Sequence, residues 1–137
     1  DLLKKKRIYL TLIVGAAGFL LDSALISVGI YHASAGSRWL IPHSFCPEWI
    51  LTLWLNFGFA LYLFKLFLSR NRITPVIVGV VFAILIYANA SRMGLVILQS
   101  PKILPLGIIA ASFAVFIPLC TWLANKICGG RFVSEHP

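Results

Sequence analysis

Two ionisable residues stand deep inside apolar runs of this chain. Asp22 lies in Gly18-Phe19-Leu20-Leu21-Asp22-Ser23, and Arg92 in Tyr87-Ala88-Asn89-Ala90-Ser91-Arg92-Met93-Gly94. A charge in the middle of a membrane helix costs about 3 kcal/mol or more, so it marks a pathway, a binding site or a buried pair. The sequence offers Asp22 as the partner that would compensate Arg92. Asn56 and Asn89 are the other polar side chains set far into apolar segments, and Glu48 and Tyr87 would form the rim of such a centre.

Three kinds of chemistry fit these residue types. They could be a structural clip, in which an ion pair and amide hydrogen bonds join helices. They could be a ligand or headgroup site, with Arg92 binding an anionic group, Asp22 orienting Arg92, and the two asparagines supplying hydrogen bonds. They could also be a proton or ion path through Asp22. A fixed positive charge at Arg92 would oppose a cation and hold Asp22 ionised, which favours the first two.

The elements that position these residues follow from hydropathy. Hydrophobic residues make up 60% of the chain and charged ones 12%, and the mean hydropathy is +0.93. A soluble domain of this size has too much surface to be covered that way. The basic residues flank apolar runs, as in helices held against lipid headgroups, so the net charge of +8 does not point to nucleic acid.

Apolar runs predict an all-α polytopic bundle with four membrane helices, at about 8–30, 48–68, 75–98 and 104–125, in a single membrane domain over 1–137. Residues 31–47, with Pro42, Pro47, Trp39 and Trp49, read as an interfacial loop in which Trp39-Leu40-Ile41 could dip into the membrane. Pro118 should kink the fourth helix near Ala114. The tail from Lys126 to Pro137, with Gly129-Gly130, reads as frayed.

Lys4, Lys5, Lys6, Arg7, Lys65, Arg70, Arg72, Lys126 and Arg131 fall on one side of the membrane, against Arg38, Arg92 and Lys102 on the other. The positive-inside rule then makes both visible ends cytoplasmic. Measured from the outer helix ends, Asp22, Asn56 and Asn89 share one depth, roughly 12 Å along their helices, with Arg92 about one turn further out. Thr11, Gly15, Gly18, Asp22 and Gly29 share a face of the first helix, so Asp22 should point into protein. Gly79, Ala83, Tyr87, Ala90 and Gly94 make a similar stripe on the third, with Arg92 about opposite, which predicts a central helix packed on both sides.

Other chemistry has less support. His32, His43, Cys46 and Glu48 match no strong metal pattern, and no cofactor is implied. Cys46 lies far from Cys120 and Cys128, which argues against a structural disulfide. There is no convincing Ser, His and Asp set and no glycine-rich phosphate loop, and Lys65 sits near the inner boundary where a lysine snorkels. The residues therefore lean away from an enzyme. The partners to expect are membrane lipids, and a membrane protein or a second copy of the chain.

Gly18-Phe19-Leu20-Leu21-Asp22-Ser23-Ala24-Leu25-Ile26, Pro47-Glu48-Trp49-Ile50-Leu51-Thr52-Leu53-Trp54 and Tyr87-Ala88-Asn89-Ala90-Ser91-Arg92-Met93-Gly94 resemble, in order and spacing, the signatures of the bacterial inner-membrane family called domain of unknown function 2878. The chain departs from that pattern at Asn89, where the family has a small residue, and in the apolar later part of the second helix. The resemblance implies two further helices ahead of Lys4, making these the last four of six, which agrees with the missing initiator methionine. It also implies, through neighbouring fatty-acid-modifying methyltransferases and oxidases, a role in membrane-lipid modification or envelope stress. The function expected is a lipid-binding or accessory scaffold of the inner membrane, with a small proton-coupled transporter or a docking subunit of a larger complex as the alternatives.

Overall fold

The computed structural model describes residues 1–37, 42 and 45–129. The expectations for Arg38, Trp39-Leu40-Ile41, His43 and the tail beyond Gly129 lie outside them. Helix α1 (Leu2–Ser27) takes in the basic cluster that the apolar run alone would leave outside it; the Asp1 side chain caps its start by accepting from the Leu3 N–H at 3.1 Å. The Arg7 guanidinium lies 3.7 Å from the centre of the Phe59 ring, an aromatic resting place for a cation at the end of an apolar helix.

Helix α1 ends three residues sooner than the hydropathy suggests, because Gly29 takes φ +78° and the chain turns back. The Ile30 N–H then reaches the Leu25 carbonyl at 3.0 Å, the bonding of a Schellman end. Helix α3 (Thr74–Arg92) ends by the same device: Gly94 has φ +73° and the Leu95 N–H reaches the Ala90 carbonyl at 2.9 Å. The expected continuation to Leu98 is therefore corrected. Val96–Leu98 is a short strand, β2, antiparallel to β1 (Tyr31–Ala33), with Tyr31 opposite Leu98 and Ala33 opposite Val96. A single 3₁₀ turn follows β1 at Ala35–Ser37.

Helix α2 (Glu48–Leu68) has the bounds that the spacing predicts, and α4 (Ile103–Cys128) passes through Pro118 without ending; it also takes in Lys126 to Cys128, expected in a frayed tail, because the helix continues until Gly129. All four helices are long and apolar enough to cross a membrane, so the chain is a multi-pass membrane protein. One end of the bundle holds Asp1, the Ser69–Ile73 loop and Cys128; the other holds the two strands.

The chain builds one plan twice: helix, glycine turn, strand, helix. When Gly29 is set on Gly94, Gly18 falls on Ala83, Asp22 on Tyr87 and Leu25 on Ala90, all of them buried. The two halves differ in how they meet. Helices α1 and α2 pack along their length, as do α3 and α4, and α4 also touches α1 and α2, whereas the backbones of α2 and α3 hardly approach one another.

Glycines set the close contacts. A Cβ on Gly18 would overlap the Trp54 indole, and one on Gly79 would lie 2.6 Å from the Phe113 carbonyl oxygen. The inward face of α1 thus carries Gly15, Gly18 and Asp22 as its periodicity predicts. Helix α3 is not packed on both sides, however. Gly79, Ala83, Tyr87 and Ala90 are buried, while Val81, Leu85 and Arg92 on the opposite face are exposed, because no helix of the described chain covers them.

Candidate functional site

Asp22 is wholly buried, and its carboxylate is held by three neutral donors from three separate elements. The Tyr31 hydroxyl donates to Oδ1 at 2.8 Å from β1, the Tyr87 hydroxyl donates to the same oxygen from α3, and the Trp54 indole Nε1–H donates to Oδ2 at 2.5 Å from α2. The donors are fixed in turn by packing. The Tyr31 and Tyr87 rings meet edge to face at 5.2 Å, and Trp54 lies 5.1 Å from both Phe113 and Phe116 of α4.

Gly18, one turn before Asp22, admits the indole to this depth. Burial and the Asp22 carboxylate push the Tyr31 hydroxyl above its ordinary range, so it stays a donor. Beside the carboxylate, the Ser23 hydroxyl accepts from the Cys46 N–H at 3.1 Å, and the Cys46 thiol contacts the Phe19 carbonyl at 3.6 Å; both tie the segment before α2 to α1.

This cluster joins α1, α2, α3 and β1 around one carboxylate and, among the described residues, has no cation as a partner. The sequence points to Asp22 and places Tyr87 at its rim, but it does not single out Tyr31 or Trp54. The signal for Trp54 was present: the residue stands almost two turns inside α2, too deep for a headgroup anchor, and a buried indole requires an acceptor.

The structure does not bring Arg92 to Asp22. Tyr87 and Arg92 are five residues apart, about 140° around α3, so placing Tyr87 against Asp22 turns Arg92 outward. Arg92 is also in the last turn of α3, where a cation suits the helix dipole. Asn89 is likewise exposed. Asn56 is exposed too, and its amide Nδ2 donates to the Thr52 carbonyl at 2.9 Å within its own helix. Glu48 is half-buried in the first turn of α2. Cys46, Cys120 and Cys128 are buried and form no disulfide among the described residues, and no group of three metal-ligating side chains occurs among those residues.

A second feature lies where α2 and α3 diverge. A cavity of about 380 Å³ opens there, lined by Leu53, Asn56, Phe57, Leu61 and Phe64 of α2 and by Phe82 of α3, among others. The matching seam between α4 and α1 has closer backbones and holds a smaller cavity, about 230 Å³, lined by Val14, Ala17, Phe116 and Cys120 among others. In the open seam Phe57 and Phe82 meet at 6.0 Å and act as a prop between the helices.

Fold and site together define a four-span membrane protein with a buried carboxylate centre. The profile of a family described as a protein of unknown function, DUF2878, matches residues 2–119, and the chain belongs to that family. No curated protein and no solved structure matches the chain.

Proposed function

We propose that this protein is a lipid-binding scaffold of the bacterial inner membrane, in which the Asp22 cluster fixes the helices and the seam between α2 and α3 receives an acyl chain. The observation that carries this reading is the contrast between the two sites. Both oxygens of Asp22 are occupied by protein donors with no exposed surface, whereas the α2/α3 cavity is open, apolar and bounded by helices whose backbones stay apart. Bilayer chains are the solvent of such a seam.

The cavity also runs along α2 from Leu53 to Leu68, about 22 Å at 1.5 Å per residue, against roughly 15 Å for one leaflet of a core about 30 Å thick. Lys4, Lys5, Lys6, Arg7, Arg70, Arg72 and Lys126 favour a cytoplasmic position for the loop end. Service beside enzymes that modify membrane lipids, implied by the family resemblance, agrees with a lipid held in this seam.

Native mass spectrometry of the protein released gently from its own membrane tests the proposal. The wild type should carry a lipid, and Ala60→Phe, which fills the cavity wall far from Asp22, should lose it while remaining folded. A wild type without lipid, or equal retention by the filled variant, would overturn the reading. A stoichiometric protein bound in place of lipid would favour the docking-subunit alternative.

A further inference from the structure

We infer that the seam between α2 and α3 selects an anionic phospholipid from the leaflet at the loop end, with its phosphate on Arg70 and Arg72. This rests on the seam being an acyl-chain site. The Ser69–Ile73 loop connects the two helices that wall the cavity, whose lining runs down to Phe67 and Leu68. A lipid whose chain occupies the seam therefore brings its headgroup to this loop, whereas Arg92 stands at the other end of α3, beyond the lining residues Val78 and Phe82.

The loop is already built. The Asn71 carboxamide Oδ1 accepts from the Ile73 N–H at 3.0 Å, the Thr74 N–H at 2.7 Å and the Thr74 hydroxyl at 2.8 Å, which fixes the entry to α3. The Asn125 amide donates to the Ser69 hydroxyl at 2.7 Å and ties the loop to α4. Arg70 and Arg72 flank Asn71, both exposed, and neither has an acidic partner among the described residues. Two guanidinium groups beside a fixed turn suit a phosphate, which they can bind in a planar, paired manner. By contrast Lys65, nearby on α2, is already engaged by the Cys128 carbonyl at 3.3 Å.

The test uses the full chain reconstituted in nanodiscs of equal phosphatidylglycerol and phosphatidylcholine, released for native mass spectrometry. The wild type should retain one phosphatidylglycerol in preference to phosphatidylcholine. Arg70→Gln with Arg72→Gln should lower that preference on the order of thirty-fold while still retaining a lipid chain. Lys4→Gln, Lys5→Gln and Lys6→Gln together should leave the preference nearly intact, as should Arg92→Gln.

Retention of both lipids without preference by the wild type would overturn the headgroup assignment and leave the acyl-chain site standing. Equal loss of preference in the lysine triple variant would also overturn it, because surface charge alone would then explain the selection. A wild type that holds no lipid would remove both. Circular dichroism of each variant checks that the helices persist, and Arg70→Lys with Arg72→Lys should keep only part of the preference; full retention would overturn paired guanidinium binding of the phosphate.

Discussion

Replacing Asp22 by leucine removes the one acceptor shared by Tyr31, Trp54 and Tyr87, and the cost can be bracketed from the structure. Hydrogen bonds between membrane helices average about 0.6 kcal/mol, so three of them set a lower bound of about 2 kcal/mol. Leaving a buried donor unpaired costs about 1–3 kcal/mol, which raises the expectation towards about 5 kcal/mol once partial relaxation of the two rotatable hydroxyls is allowed. Asp22→Asn should cost less, about 1–2 kcal/mol: its oxygen can accept from the donor-only indole while its amide donates to a tyrosine oxygen.

The assay is reversible unfolding of the purified protein in mixed micelles on addition of a denaturing detergent, followed by tryptophan fluorescence and checked by circular dichroism. Two comparisons make it decisive. Adding Tyr31→Phe and Tyr87→Phe to Asp22→Leu should recover part of the loss, because two orphaned hydroxyls are removed together with their acceptor. Arg92→Gln, on an exposed face, should lie within about 0.5 kcal/mol of the wild type. If Asp22→Leu is as stable as the wild type, the cluster does not hold the helices. If Arg92→Gln is as costly as Asp22→Leu, the cation is the true partner of the carboxylate and the aromatic cage is not.

Further outcomes follow from the same geometry. Gly18→Ala should destabilise the bundle by about 1–3 kcal/mol through the clash with the Trp54 indole, and by displacing the indole it should change tryptophan emission in the folded state. Gly94→Ala places a side chain in left-handed backbone and should cost about 1–2 kcal/mol in the same unfolding assay; its added Cβ meets nothing, so the loss would be backbone strain alone. Asn71→Ala removes three acceptor contacts at the start of α3 and should cost about 1 kcal/mol, with faster amide exchange confined to Ile73 and the first turn of α3.

Much of the architecture was legible in the residues themselves. Four long apolar runs define four spans, because the hydrocarbon core imposes both a length and an absence of charge, and the second helix could be placed at about 48–68 since Pro47 precedes it and Ser69-Arg70 follows it. The burial of Asp22 was legible too: Gly15 and Gly18 lie on its face of α1, and small residues mark where another helix comes close. The shortness of α3 was less so, since Leu95 to Leu98 continue the apolar run and only the conformation of Gly94 reveals the turn into β2.

What hydropathy and periodicity could not supply was the partner of the buried carboxylate. The sequence proposes Arg92 because opposite charges at similar depths suggest a pair, but the choice depends on the rotation of α3 about its axis, and one helix cannot present Tyr87 and Arg92 to the same neighbour. Packing of α3 on α4 through Gly79, together with the pairing of β1 and β2, sets that rotation, and it is decided by contacts between residues far apart in the chain. The sequence by itself therefore determined which segments cross the membrane and that Asp22 faces inward. Only the tertiary structure decided that neutral aromatic donors hold it, and that α2 and α3 stand apart, because both depend on how side chains from different helices fill or prop open the space between them.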